Sequence, residues 1–366
     1  MPTALAFALG LLSLVLGGEL LVKGASRMAA LLRISPLVVG LTVVAYGTSS
    51  PELATNLIAV YENKLDIAVG NVVGSNILNV FFILGVSALI APLVVHRQVV
   101  RLDVPIMIAA SALLLLLGID GKLSRFDGLL LLGSVVFYTV FIIRESRRET
   151  SNQEEAGAAG QRDASRSKAW LLSAILVLAG LGFLALGSNW LVDAAIVLAK
   201  RVGVSEMIIG LTVVAAGTSL PEIITSIIAA LRGQRDIAVG NVVGSNIYNI
   251  LAILGLSGVL AKDGIPFATS TLGFDIPVMI GAAVACLPIF FTGHRIARWE
   301  GALFLAYYVA YTLFLVLRSL EHDGLPLFSG WMLGYVLPIT AITLMIFFLR
   351  EMVEHSRKSA KGGLTS

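Results

Sequence analysis

"GTSSPE", residues 47–52, recurs as "GTSLPE" at residues 217–222. Each copy lies inside a long apolar run, where an ionisable side chain is expensive and a proline breaks the helical hydrogen-bond ladder. Outward from these hexamers the similarity continues. Residues 40–79 align with 210–249 without a gap at a constant offset of 170, and 27 of the 40 positions are identical. The chain therefore holds two copies of one block. If each copy belongs to a unit with an odd number of membrane spans, the second unit must cross the membrane upside down relative to the first.

Composition supports a membrane chain. Of 366 residues, 57% are hydrophobic and only 13% charged, against about a quarter charged in soluble domains. Mean hydropathy is +0.91. Runs long enough to cross a bilayer fall near 3–23, 36–60, 67–91, 102–119, 126–143, 170–192, 205–231, 237–260, 271–292, 299–318 and 328–349. The first run continues past Glu19 to Lys23 with no small-residue cleavage site, so it reads as a span rather than a removable leader. The polar stretch 144–168 carries charges of both signs among Ala, Gly and Ser, and reads as a flexible cytoplasmic linker. The expected organisation is a first five-span repeat over 1–143, the linker over 144–168, a second and inverted five-span repeat over 169–319, and an extra span with a cytoplasmic tail over 320–366. The fold class is an all-α polytopic membrane protein of two inverted five-helix repeats plus one extra C-terminal transmembrane helix.

Charge gives an orientation. With the N-terminus outside, 19 of the 26 Lys and Arg residues fall in inside segments and 7 outside. Excess Lys and Arg mark cytoplasmic loops, so the linker and the C-terminal tail are expected in the cytoplasm of a multi-pass cell-membrane protein. The net charge of +3 follows from these loops and needs no nucleic-acid partner. The single cysteine, Cys286, lies in an apolar run, where a buried free thiol is the expectation.

The duplicated hexamer sets the chemistry. Pro51 has no amide hydrogen for the carbonyl of Gly47, so the helix is expected to kink and free main-chain oxygens, which must find protein, water or an ion. Thr48 and Glu52 stand at i, i+4 on one face with Ser49 at its border. Thr218, Ser219 and Glu222 repeat the arrangement. The partner stretches "GNVVGSNILNV" (70–80) and "GNVVGSNIYNI" (240–250) place Ser75 with Asn79 and Ser245 with Asn249 at the same spacing. Hydroxyls, carboxylates and carbonyls are hard oxygen donors, suited to Ca²⁺, Mg²⁺ or Na⁺ rather than zinc or copper. Pseudo-two-fold symmetry would bring Glu52 and Glu222 together at mid-membrane, where two carboxylates cannot both stay charged without a cation. A divalent ion, several monovalent ions or protons would each balance them.

Other polar residues read differently. Asp103 and Asp275, each before a proline at a span start, are expected to cap helix N-termini. Glu19 has no carboxylate counterpart in "LGSNWLVD" and is expected to be solvated or paired at the interface. Trp170, Trp299 and Trp331 read as interfacial anchors.

In these motifs the chain resembles the Na⁺/Ca²⁺ exchangers of the cation/Ca²⁺ antiporter superfamily. The carrying features are GTSSPE with GNVVGSNILN and GTSLPE with GNVVGSNIYN, which are similar to the two α-repeats of that family. The resemblance implies that Glu52 and Glu222 are shared ligands for Ca²⁺ and Na⁺. It implies that Thr48, Ser49, Thr218 and Ser219 supply oxygens together with the backbone carbonyls of Ala45 and Ala215. Ser75 and Ser245 would complete flanking Na⁺ sites, Asn79 and Asn249 would line the centre, and the first and sixth spans would slide to switch access. K⁺-dependent relatives carry Asp where Asn249 stands, so the resemblance argues against K⁺ co-transport. The eleventh span lies outside the family's usual ten.

The expected function is secondary-active Na⁺/Ca²⁺ antiport by alternating access, extruding Ca²⁺ on the Na⁺ gradient. The alternatives are a Ca²⁺/H⁺ antiporter on the same scaffold and, in another class, a gated cation channel. The repeat favours alternating access within one chain, so a monomer is expected to suffice. No nucleophile–base constellation or nucleotide loop is present, so no enzyme and no cofactor is expected beyond the transported ions in their lipid bilayer.

Overall fold

The computed structural model describes residues 2–154, 165–201 and 215–362. Without water to satisfy backbone groups in hydrocarbon, apolar runs must close their own hydrogen bonds, and helices do so. In chain order the helices are α1 (Thr3–Leu32), α2 (Pro36–Thr48), α3 (Ser50–Tyr61), α4 (Leu65–Ile90), α5 (Val99–Leu117), α6 (Arg125–Glu154), α7 (Ser165–Arg201), α8 (Ala215–Thr218), α9 (Leu220–Leu231), α10 (Arg235–Leu260), α11 (Thr271–His294), α12 (Arg298–Ser319) and α13 (Leu325–Val353). Among the described residues, nine helices are long and apolar enough to cross a membrane, and α2 with α3 make a tenth bent by 43°. Of the seventh predicted span, 205–231, the first part lies outside the described residues; α8 and α9 are the rest.

Packing is reciprocal, and the antiparallel pair α1–α7 demonstrates the inversion. Built onto Gly10, a Cβ would lie 3.1 Å from the carbonyl oxygen of Gly187; built onto Gly17, one would lie 2.8 Å from that of Gly180. Small residues let membrane helices approach this closely. The residue numbers in the two contacts sum to the same value, so the helices run in opposite directions. Under the offset of 170, Gly10 maps to Gly180 and Gly17 to Gly187, so each contact is the image of the other. Two short antiparallel ribbons repeat the rule. Strand β1 (Leu93–Val94) pairs with β4 (Arg295–Ile296), and β2 (Lys122–Leu123) pairs with β3 (Ile265–Pro266).

Three expectations need correction. The helices outrun the apolar stretches: α6 continues to Glu154 and α7 begins at Ser165, so the described ends of the 144–168 linker are helical rather than flexible. Hydropathy marks the hydrocarbon-crossing part of a helix, and polar turns can extend it into water. Asp103 and Asp275 cap nothing. Each accepts a hydrogen bond of 3.0 Å from a tyrosine on the next span, Asp103 from Tyr138 and Asp275 from Tyr311, tying α5 to α6 and α11 to α12. The Pro that follows starts no helix, because a π-helical turn already precedes it over Val99–Asp103 and Thr271–Asp275.

The extra helix α13 lies against α11 and α12 through Phe348 on Phe291, Phe347 on Trp299, and a 2.6 Å bond from Tyr307 to Thr340. Most of its apolar side chains are exposed, as suits a helix facing lipid.

Candidate ion-binding site

The duplicated hexamers break two helices at the centre of the molecule. Ser35 caps α2, accepting from the Val38 amide at 3.3 Å, with Pro36 in the first turn. The helix stops at Thr48, Ser49 departs from helical geometry at φ −80°, ψ 7°, and α3 restarts with Pro51 in its first turn. Ser219 repeats the break at φ −88°, ψ 6°, with Pro221 opening α9. A proline tolerated in a first turn has no helical bond to lose, so the pre-proline carbonyls are left for other donors. Gly217 O is taken by the hydroxyl of Ser188 on α7 at 2.6 Å. Ala45 O accepts the Ser49 amide at 3.0 Å and lies 3.3 Å from Thr48 Oγ1 and 3.5 Å from Ser245 Oγ. Ala215 is the first described residue of α8.

The two halves are cross-linked by their own motifs. Ser49 Oγ donates to Glu222 Oε1 at 2.9 Å, and Ser219 Oγ donates to Glu52 Oε1 at 2.8 Å while lying 3.2 Å from Ser75 Oγ. Each hydroxyl thus holds the carboxylate of the opposite repeat. Asn79 Nδ2 donates to Asn246 Oδ1 at 2.9 Å and Asn249 Nδ2 to Asn76 Oδ1 at 3.0 Å. Asn76 and Asn246 in turn donate to each other's backbone carbonyls across the pseudo-two-fold, at 3.1 and 3.4 Å. A π-helical turn begins at Asn79 and at Asn249, a local widening that often accompanies functional positions.

What this network leaves unpaired is as regular as what it pairs. Glu52 Oε2, Glu222 Oε2, Asn79 Oδ1, Asn249 Oδ1 and Thr218 Oγ1 are buried without a hydrogen-bond partner. Buried polar atoms are nearly always satisfied, and four of these five are two symmetric pairs of acceptors. Glu52 and Glu222 are both buried, while the buried set among the described residues includes no Lys or Arg. No described base is therefore placed to neutralise the two carboxylates. Nor do three His, Cys, Asp or Glu side chains converge anywhere among the described residues; the centre is two carboxylates set among neutral oxygens.

Apart from Ala215, the motif residues named from the sequence fall in or beside this centre. The sequence reading missed the residues that hold them. Asn71 Nδ2 donates to Asn56 Oδ1 at 2.8 Å and approaches Glu52 O at 3.4 Å; Asn241 Nδ2 donates to Ser226 Oγ at 2.9 Å and approaches Glu222 O at 3.4 Å. Thr48 Oγ1 lies 3.1 Å from Asn241 Oδ1. Asn71, Asn76, Asn241 and Asn246 are all identical between the two blocks, which was the available signal. Ser188 had none, because its counterpart is Gly18.

A cavity meets the edge of the centre on one side, at Thr48 and Thr218. Its volume is about 660 Å³, and it runs between α3 and α7, from Asn189 and Asp193 past Ala54 and Ile58. The pseudo-symmetric location is shut. There Ile224 and Ile228, the images of Ala54 and Ile58, pack on Gly18 so tightly that a Cβ would sit 2.5 Å from Ile228 Cδ1. On that side Glu19 of α1 takes Arg232, just past α9, in a two-pronged ion pair with Nη2–Oε1 at 2.6 Å and Nε–Oε2 at 3.0 Å. Glu19 is thus paired, one of the two outcomes expected for it.

Comparison with known proteins follows the same geometry. The sodium/calcium exchanger protein family matches residues 3–144 and 172–317. The sodium/calcium exchanger MaX1 of Methanosarcina acetivorans is 33% identical over 339 residues, covering 84% of this chain and 96% of that protein. The inner membrane protein YrbG of Escherichia coli K12 is 36% identical over 283 residues, covering 76% and 86%. A solved structure of the sodium-calcium exchanger NCX_Mj superposes with a TM-score of 0.72 at 30% identity, covering 84% of this chain and 96% of that one.

Proposed function

The chain belongs to the sodium/calcium exchanger protein family, and from that premise we propose that it is a secondary-active antiporter exchanging Na⁺ for Ca²⁺ at the Glu52–Glu222 centre. The observation that carries the reading is the pair of buried carboxylates with no buried Lys or Arg among the described residues and a surround of unpaired neutral oxygens. One Ca²⁺ balances two carboxylate charges. Na⁺ ions balance the same charges, and further Na⁺ can be held by neutral oxygens alone. Occupancy by one kind of ion therefore excludes the other, which is the thermodynamic basis of exchange.

In this proposal Glu52 and Glu222 ligate both ions. Thr48, Ser49, Thr218 and Ser219 contribute hydroxyl or carbonyl oxygens, Ser75 and Ser245 serve flanking Na⁺ positions with the carbonyls of Ala45 and Ala215, and Asn79 and Asn249 present their free Oδ1 atoms. The glycine seam holds α1 and α7 together, and the pair slides as one unit against the rest, closing the cavity on one side as it opens the other. The Lys and Arg bias orients the N-terminus and the cavity outward, with the tail in the cytoplasm, and the Na⁺ gradient then drives Ca²⁺ out. One chain holds both halves of the centre, so a monomer suffices. The family is one of transporters, and in this reading the chain acts as a transporter rather than an enzyme.

Radiolabelled Ca²⁺ uptake into Na⁺-loaded proteoliposomes tests the reading. Uptake should follow the outward Na⁺ gradient, respond to membrane potential and persist without K⁺. Uptake that ignores Na⁺ and follows a proton gradient would replace Na⁺ coupling with H⁺ coupling at the same centre.

A further inference from the structure

We propose that Asp193 is the cation-capturing residue of the open vestibule, and that its charge gives the two faces of a symmetric transporter unequal capture rates. The inference rests on the exchange reading above and concerns the path to the site rather than the site.

Asp193 is the only ionisable side chain among the described residues lining the cavity. It is exposed. It stands four residues after Asn189, so the two share one face of α7, and both line the cavity. Ser188 fixes the level of that face, because its hydroxyl holds Gly217 O next to Thr218 at the inner end. Five residues of helix carry Asp193 about 7–8 Å along the axis from that level. A carboxylate on the order of 10 Å from the inner end thus overlooks the approach to Glu52 and Glu222. It forms no ion pair among the described residues, so its charge is uncompensated there.

The pseudo-two-fold makes the assignment sharper. Subtracting the offset of 170 carries Asp193 onto Lys23, in "LLVKGAS" against "WLVDAAI". Lys23 is exposed on α1, just past Gly18 and Glu19 on the sealed side. When alternating access opens that side, the equivalent position at its mouth is an ammonium. The inner ligands are the same in both states, but one opening attracts cations and the other repels them. Capture is favoured from the Asp193 side and release is favoured past Lys23. This polarity changes rates and apparent affinities on each face; the ion gradients still set the direction of net transport.

The size of the effect follows from Coulomb's law. One charge at about 10 Å in a water-filled path changes the local concentration of a divalent cation about fourfold and of a monovalent cation about twofold, and low-dielectric walls raise these factors. The test measures initial Ca²⁺ flux in proteoliposomes, in a Cys286→Ala background, for Asp193→Asn, Asp193→Lys and Asp193→Glu. An impermeant thiol reagent acting at Ile58→Cys, in the open cavity, identifies transporters with the Asp193 side outward. On that side Asp193→Asn should raise the apparent KM for Ca²⁺ about fourfold and for Na⁺ about twofold, with the maximal rate unchanged. Reversal to lysine should about square those factors, glutamate should restore them, and about 1 M inert salt should abolish them, the Debye length then being about 3 Å. The KM on the opposite face should not move. An unchanged KM, a fall in maximal rate alone, or a change insensitive to salt and valence would overturn the assignment. Wild-type flux tests the exchange reading, while the variant-to-wild-type ratio tests Asp193, whichever ion drives the uptake.

Discussion

Ile58 and Ile228 hold the same position in two copies of one sequence block, yet Ile58 is 57% exposed and Ile228 is 7% exposed. Gly18 and Ser188 also correspond, but here the residues differ: Gly18 is covered by Ile228, and Ser188 holds a carbonyl of the broken helix. The two contrasts have different meanings. Identical residues in different surroundings mark a conformational state, which the alternate state can invert. Different residues at corresponding positions mark a permanent polarity that no rearrangement removes. Ile58/Ile228 belongs to the first kind, whereas Gly18/Ser188, Glu19/Asn189, Lys23/Asp193 and Asn56/Ser226 belong to the second.

The carboxylates offer the strongest way to break this picture. Glu52 and Glu222 are held by mirror-image hydroxyls and each keeps one free oxygen, so both belong to the symmetric part. Glu52→Gln and Glu222→Gln should each reduce Ca²⁺ flux on the order of a hundredfold or more, because removing one charge from a buried balanced set costs about 3–5 kcal/mol. Both variants should remain monodisperse on size exclusion. Wild-type flux in either would remove that carboxylate from the site.

Next comes the seam. Gly17→Leu and Gly180→Leu place side chains where a Cβ alone would be 2.8 Å from the opposing carbonyl. Overpacking of this kind costs about 1–3 kcal/mol, and both variants should melt earlier in detergent and lose transport together. A variant that transports normally would show that α1 and α7 need not approach this closely.

A smaller effect is expected from adding charge. Asn79→Asp and Asn249→Asp each put a third carboxylate beside a centre with no described base. The added charge should make flux several-fold dependent on pH or on an added monovalent cation, compared with the wild type. Protonation at the acid end restores a wild-type-like charge, and ionisation at the alkaline end demands an extra monovalent cation. Equal behaviour of the two variants would place both asparagines in the symmetric part; unequal behaviour would assign them polarity.

Much of this was legible in the sequence because duplication and hydrophobic length are local signals. The kink at Pro51, the pairing of the two hexamers and the inverted plan all follow from covalent constraints and the cost of polar groups in lipid. The supporting asparagines were harder to read. Asn71, Asn76, Asn241 and Asn246 stand in the repeated blocks, but only a fold that crosses the two copies tells which of several amides faces the centre. Asp103 and Asp275 misled because a carboxylate before a proline suits a helix start, and the tyrosines that actually bind them lie on another helix. Ser188 and Asp193 gave no warning, since their roles depend on the close approach of α7 to the broken helices.

The clasp on the sealed face should give the smallest effect and the finest resolution. Glu19 and Arg232 make a two-pronged pair, but their side chains are 37% and 62% exposed, and exposed pairs contribute little. Their images, Asn189 and Glu62, cannot form an ion pair. The clasp therefore belongs to the permanent polarity and favours the state with this side shut. Glu19→Gln should shift the equilibrium toward opening there by no more than about fivefold. The readout is labelling of Ile228→Cys by a thiol reagent presented on the sealed face, in a Cys286→Ala background. The rate should rise in Glu19→Gln, fall back when Glu19→Arg is combined with Arg232→Glu, and rise less at high salt, where screening has already weakened the wild-type pair. Labelling of Ile58→Cys should fall correspondingly, because opening one side closes the other. If labelling at Ile228→Cys rises while that at Ile58→Cys stays constant, the clasp only holds a loop, and the two isoleucines do not exchange environments as one unit.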